Sequence, residues 1–206
     1  GTIIFVMLLI GKTSSKYLTL LIAMALLAFG LKIGTSNYQR ARLMNWLQPT
    51  ENVEDIQQHA SKLAMGSGEV LGKGPGSSSL KNGHLPAAHT DFILAILGEE
   101  YGFVGVAILF LLFGVIFHNG VQILQIAPDR FGLFLALGII LNLIFYFLIN
   151  VAYVIGFAPN TGLTMPFISY GGSNTIFTLG AVGLLMSIAR EAFHGSATYQ
   201  KRIINV

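Results

Sequence analysis

Residues 131–155 read FGLFLALGIILNLIFYFLINVAYVI, a run without one charged side chain. As an α-helix it would rise roughly 37 Å, enough to cross a hydrocarbon core of about 30 Å. Inside hydrocarbon every backbone N–H and C=O must find a partner within its own segment, so a helix is the form such a run takes. Working outward, apolar runs of similar character lie at about residues 17–33, 92–117 and 173–189, and a shorter one occupies residues 1–11. That first run would rise only about 15 Å, half a hydrocarbon core. The first residue is Gly1 rather than methionine, and the run is too weakly basic at its start for a signal peptide, so the expectation is a chain that begins inside a helix. The fold class expected is all-α: a polytopic integral membrane helix bundle, residues 1–206 forming a single transmembrane domain fragment with one large polar loop at about residues 34–91.

Composition agrees with this reading. The 206 residues are 53% hydrophobic and 10% charged, against about 25% charged for a soluble domain that must cover its surface with polar groups. The absence of cysteine excludes a disulfide framework and a thiolate metal site. A net charge of +3, spread along the chain, gives no reason to invoke nucleic acid; basic ends of membrane helices account for it.

Lysine and arginine near the span ends set an orientation. Lys12 and Lys16 flank one joint, Arg130 lies in the next joint on that side, and Arg190, Lys201 and Arg202 follow the last span, which marks that side as cytoplasmic. The opposite side carries residues 156–172, which have no charge, and the long loop. There five basic residues (Arg40, Arg42, Lys62, Lys73, Lys81) balance five acidic ones (Glu51, Glu54, Asp55, Glu69, Asp91). The long loop is therefore expected to face outward, and function is sought there.

Within it, residues 85–92, LPAAHTDF, run directly into an apolar helix. Thr90 or Asp91 reads as an N-cap, whose side chain accepts a bond from a free backbone N–H. The functional reading places the Asp91 carboxylate at the water boundary, where it can meet a lipid-borne substrate as general base. Glu99 and Glu100 follow about two turns on; either the true span begins near Tyr101 and both are interfacial, or they line a polar cavity, since intramembrane carboxylates are costly. Lys73 and Lys81 in the turn-rich residues 72–81 have the composition of a diphosphate cradle, but such loops are common and the ordinary reading is a flexible outer loop. Arg40 and Arg42 beside Trp46 read as an interfacial belt, with phosphate binding as the other reading. Residues 159–173, PNTGLTMPFISYGGS, cannot be helical throughout, and irregular backbone near membrane depth points to the wall of a site; Ser173 reads as the N-cap of the last helix. His84 and His89 lack metal-ligand spacing with a third residue, and His89 reads as a supporting hydrogen bonder.

Taken in order, HTDF (89–92), GEEYG (98–102), PNTGL (159–163) and PFISYGGS (166–173) resemble the SEDS family (shape, elongation, division and sporulation), which includes RodA and FtsW. The strings GPGSSSLK (74–81) and GLT (162–164) look more like the FtsW branch. The resemblance implies a fold of about ten helices with a large extracytoplasmic loop before the eighth, of which this chain would supply the last half. It implies a peptidoglycan glycosyltransferase of the bacterial cytoplasmic (inner) membrane that polymerises lipid II during cell division or elongation, with a divalent cation (Mg or Mn). Implied partners are a class B penicillin-binding protein and other divisome membrane proteins. Asp91 would be the catalytic aspartate, Lys81 and Arg42 would stabilise the departing diphosphate, and His89, Thr90, Glu99, Glu100, Ser169 and Tyr170 complete the candidate substrate contacts. Ala87, Ala60 and Asn174 depart from the family pattern. A lipid II transporter (flippase) and a non-catalytic divisome scaffold are the alternative functions, and the fragment by itself is expected to be inactive.

Overall fold

The computed structural model describes residues 2–11, 13–37, 40, 44, 53–79, 90–159 and 162–204, the side chains of residues 2, 33, 53–56 and 194–204 excepted. Every element among them is an α-helix: α1 (Thr2–Ile10), α2 (Ser15–Thr35), α3 (Val53–Ser67), α4 (Ile93–Ile126), α5 (Arg130–Val154) and α6 (Gly172–Ile204). Four of these, α2, α4, α5 and α6, are long and apolar enough to cross a membrane. Two overrun the apolar stretches that announced them. α4 continues through Asn119 and Gln122, polar residues that a helix tolerates, until Pro128 disfavours its continuation. α5 then starts cleanly, because the Asp129 carboxylate accepts the Gly132 N–H at 2.9 Å and satisfies one of the free donors of the first turn.

The segment read as a polar loop contains α3, which packs on α4 and α5. Its sequence, VEDIQQHASKLAMGS, sets apolar residues at helical spacing behind two acids in the first turn. Gln58 Nε2 donates to the carbonyls of Tyr153 (2.6 Å) and Ala158 (3.0 Å), and Ser61 Oγ to that of Val154 (3.3 Å). The carbonyls of Tyr153 and Val154 belong to the open C-terminal end of α5 and that of Ala158 to the turn after it, so α3 supplies the partners that a helix end otherwise seeks in water.

The largest core lies at this end of the bundle. Phe92, Leu94, Ala95 and Ile96 of the α4 start, Phe147, Tyr153 and Val154 of α5, Ala64 of α3 and Met165 are buried together. Phe113 and Phe147 stack with centroids 4.2 Å apart, and Phe92 meets Tyr153 edge-on at 5.6 Å. A smaller core joins α5 and α6 through Ala136, Ile140, Leu185 and Ile188. By contrast α2 leans on α1 and leaves Tyr17, Leu20, Met24, Leu26, Leu27 and Phe29 exposed, a surface suited to lipid or to further helices.

α4 is broken at Gly102, whose backbone (φ 63, ψ −159) leaves the helical region. The break frees the carbonyls of Glu99 and Glu100 and the N–H groups of Phe103 and Val104, and the segment after α3 takes all of them. Lys73 N donates to Glu99 O and Gly74 N to Glu100 O, both at 3.0 Å; Phe103 N donates to Glu69 O at 2.9 Å and Val104 N to Val70 O at 3.1 Å. Residues 69–74 are thus spliced into the interrupted ladder of α4, and these four backbone groups escape the cost of going unpaired. The expectation of a flexible loop over residues 72–79 is corrected here: this backbone is fastened to α4.

Candidate functional site

The start of α4, the end of α5, α3 and the loop before α6 meet at one end of the bundle, and Asp91 lies among them. The expectation that Thr90 or Asp91 caps α4 is corrected. Phe92 stands at the cap position with no side-chain cap bond, and its carbonyl accepts from Ala95 N (2.9 Å) and Ile96 N (3.3 Å). Phe92 sits there because its ring is buried against Tyr153, so packing rather than a capping side chain fixes where the helix begins.

Asp91 is half-buried, and its main chain is what the protein holds. Its carbonyl accepts from Asn150 Nδ2 at 3.1 Å and from the Tyr153 hydroxyl. The same two side chains reach Leu163: Asn150 Nδ2 lies 2.9 Å and the Tyr153 hydroxyl 3.3 Å from its carbonyl. Gly162 borders the carboxylate, for a Cβ built on Gly162 would stand 3.7 Å from Asp91 Oδ2. Among the described residues, no hydrogen bond or ion pair reaches that carboxylate.

Glu99 differs on each of these points. It is fully buried, and both carboxylate oxygens are enclosed: Oε1 accepts from Lys73 Nζ and Ser79 Oγ, each at 2.8 Å, and Oε2 from Ser78 Oγ at 2.8 Å and Ser79 N at 3.1 Å. Ser78 N donates to Glu100 Oε1 at 3.3 Å. Glu99 is the post around which the loop closes, and the Lys73 ammonium is its ion-pair partner. Enclosure by charge-assisted bonds explains how a carboxylate can sit in an otherwise apolar helix.

A groove of about 660 Å³ opens beside this end, lined by Ile93, Ile168, Ser169, Tyr170, Gly171, Gly172, Thr175 and Ile176. Tyr170 is exposed and free to meet a ligand, whereas Ser169 turns its hydroxyl inward to accept from Met165 N at 2.8 Å. Ser173, expected as the N-cap of the last helix, falls inside its first turn. The preceding Gly171 carbonyl accepts from both the N–H (2.9 Å) and the hydroxyl (3.0 Å) of Thr175, so the helix is underway before Ser173. Asn174, the residue that departs from the family pattern, donates to Thr164 Oγ1 at 2.7 Å and ties the loop to α6.

The structure thus brings Asp91, Ser169 and Tyr170 to one end of the bundle with Thr90 adjoining in the chain, and sets Glu99 and Glu100 lower on α4. Lys81, Arg42 and His89 lie outside the described residues, as do Trp46 and His84. Asn150 and Tyr153 were missed by the sequence reading, although an asparagine inside an uncharged span is itself a signal, because its amide must find partners there. Asn150 is wholly buried and its Oδ1 accepts no bond among the described residues, a group that costs about 1–3 kcal/mol to leave unpaired. No group of three or more His, Cys, Asp or Glu residues suited to a metal ion occurs among the described residues.

Comparison with known proteins bears on the whole chain. The FtsW/RodA/SpoVE family model, described as cell cycle protein, matches residues 1–194. A Geobacter sulfurreducens protein named probable peptidoglycan glycosyltransferase FtsW is 40% identical over 191 residues, which cover 92% of this chain and 51% of the relative. Stage V sporulation protein E of Bacillus subtilis is 42% identical over 155 residues, covering 74% of this chain and 42% of that protein. A solved structure described as structural coordination of polymerization and crosslinking by a peptidoglycan synthase complex superposes with a TM-score of 0.69 at 29% identity, over 93% of this chain and 54% of the matched one. The chain spans about half the length of the curated relatives it matches. By this match along nearly its full length, the chain belongs to the FtsW/RodA/SpoVE family of membrane proteins.

Proposed function

We propose that the protein is a peptidoglycan glycosyltransferase that polymerises lipid II into glycan strands at the outer face of the bacterial cytoplasmic membrane, in division or elongation. One observation carries the reading: the Asp91 carboxylate stands at the end of a membrane-spanning helix with its main chain held by buried side chains and its oxygens unclaimed among the described residues. A carboxylate placed in this way can accept a proton from a substrate hydroxyl, and fixed position supplies most of what a weak base lacks. The names of the relatives, glycosyltransferase and peptidoglycan synthase, support the same activity.

In the proposed reaction the acceptor sugar hydroxyl attacks the anomeric carbon of the donor. Its proton passes to Asp91, the bond from that carbon to the diphosphate oxygen breaks, and undecaprenyl diphosphate leaves with the configuration inverted. The departing charge falls to Lys81 and Arg42, in the roles the resemblance gives them. A divalent cation, Mg or Mn, is the proposed cofactor and would neutralise the diphosphate; no group of three or more His, Asp or Glu among the described residues is suited to hold it, and the proton transfer to Asp91 does not pass through it. The open groove beside Tyr170 is suited to the apolar part of a lipid-linked substrate. A class B penicillin-binding protein and other divisome membrane proteins are the proposed partners.

The test is glycan formation from purified lipid II by the full-length protein with its penicillin-binding partner, native against Asp91→Asn. Polymer that disappears with the substitution upholds the reading. No polymer from either protein, with lipid II still crossing vesicles, turns the assignment to a transporter.

A further inference from the structure

We infer that Asn150 and Tyr153 are positioning residues for Asp91: from α5 they fix where its carboxylate stands by holding the backbone that carries it. This rests on the reading of Asp91 as the base. Because no described residue bonds the carboxylate, nothing in its own side-chain contacts sets its place. The setting comes through the main chain, and among the described residues the side-chain bonds to the Asp91 carbonyl come from these two. Asn150 Nδ2 spans the carbonyls of Asp91 (3.1 Å) and Leu163 (2.9 Å), and the Tyr153 hydroxyl donates to the carbonyl of Asp91. The start of α4 and the loop before α6 are thereby referred to one point on α5, and Gly162, next to Leu163, brings that loop against the carboxylate.

Three features distinguish this from ordinary core packing. Both side chains are wholly buried, with 0% exposure, so the bonds form without competition from solvent. The amide has one workable orientation, since turning it over would set Oδ1 against two carbonyl oxygens. In that orientation Oδ1 has no partner among the described residues, which a leucine of similar size would have avoided; the asparagine is present for its donors. Tyr153 is itself held by Asn150 Nδ2, 2.7 Å from its oxygen, and by Phe92, its neighbour across the ring edge, so its hydroxyl has little freedom to wander from the Asp91 carbonyl.

The experiment measures lipid II polymerisation by the full-length protein with its penicillin-binding partner, as kcat and KM, for Tyr153→Phe, Asn150→Leu and Asp91→Asn, alone and combined. Tyr153→Phe keeps the ring against Phe92 and removes the hydroxyl with its bonds to the Asp91 carbonyl and Asn150 Nδ2; kcat is expected to fall about tenfold with KM for lipid II within about twofold. Asn150→Leu removes both carbonyl ties, and kcat is expected to fall about 100-fold, the loss that a displacement of about 1 Å brings. Added to Asp91→Asn, neither substitution should lower the residual rate further, because there is no base left to misplace. A rise in KM at constant kcat, a kcat loss matched by an equal loss of folded protein, or further losses in the Asp91→Asn background would overturn the inference. Native rates in both α5 variants with Asp91→Asn inactive would remove this inference alone; native rates in Asp91→Asn would remove the base assignment and this inference with it.

Discussion

Glu99 and Asp91 lie about two turns of chain apart, one inside α4 and the other just ahead of it, in surroundings that differ in kind. Glu99 receives four hydrogen bonds from Lys73, Ser78 and Ser79, and none of its surface is open. Asp91 is held by its carbonyl, and its carboxylate borders Gly162 with no bonded partner among the described residues. A carboxylate whose lone pairs are filled from within serves as a fastener. One whose backbone is fixed while its oxygens stay available is arranged for a partner that arrives from elsewhere.

The largest effect that should separate them is catalytic. Asp91→Asn is expected to lower the polymerisation rate by about 10³-fold, within the range that a lost general base costs. The melting temperature of the detergent-solubilised protein should stay within about 2 °C, because no described fold contact uses the carboxylate. A large drop in melting temperature would show that Asp91 is a fastener too, and the contrast would collapse.

On the Glu99 side, stability should change before chemistry does. Gly72 has φ +82, and a Cβ there would lie 2.2 Å from Glu100 O, a backbone atom with no freedom to step aside. Gly72→Ala should therefore cost about 3 kcal/mol, the left-handed penalty and the overpacking together. Glu99→Gln is the milder change: the shape survives, but Lys73 loses its charged partner and the serines a charged acceptor. With Lys73 41% exposed, so that water can partly take over its charge, the expected loss is about 2 kcal/mol, read as a lowered denaturation midpoint with the rate per folded molecule within about tenfold. An inactive Glu99→Gln protein with native melting would place Glu99 at the chemistry after all.

How much of this could be read in advance follows from the range of the interactions. The spans were legible because run length and charge are local, and α5 shows both in a single uncharged stretch. Asp91 stood out by its place at the boundary between polar segment and span, together with the family resemblance, and its role as base is the proposal that Asp91→Asn tests. The splice at Gly102 was not. A glycine within a GEEYG string says little by itself, and its meaning depends on residues 69–74 arriving from a distant part of the chain to take up the broken ladder. α3 was overlooked because its polar residues suggested a solvated loop, when Gln58 and Ser61 in fact turn inward to the end of α5. Asn150 and Tyr153 were hidden among apolar neighbours. What they do is defined by carbonyls 59 and 62 positions back along the chain, a pairing that periodicity cannot express.

The smallest expected effect tests whether the fastening of this loop is a matter of contact or of backbone shape. Gly72 and Gly76 share nearly the same positive φ, +82 and +81, yet a Cβ on Gly76 would meet nothing within 4 Å. The conformational penalty of a side chain in that region is common to both and amounts to about 1 kcal/mol. Gly76→Ala should therefore lower stability by about that amount, a shift of a few degrees in the melting temperature, and leave polymerisation at the native rate. The remainder of the Gly72→Ala loss, about 2 kcal/mol, then measures the close approach of the loop to the Glu100 carbonyl. Equal losses in the two variants would mean that backbone shape alone holds residues 72–79 in place, and the splice into α4 would lose its claim to be what fastens them.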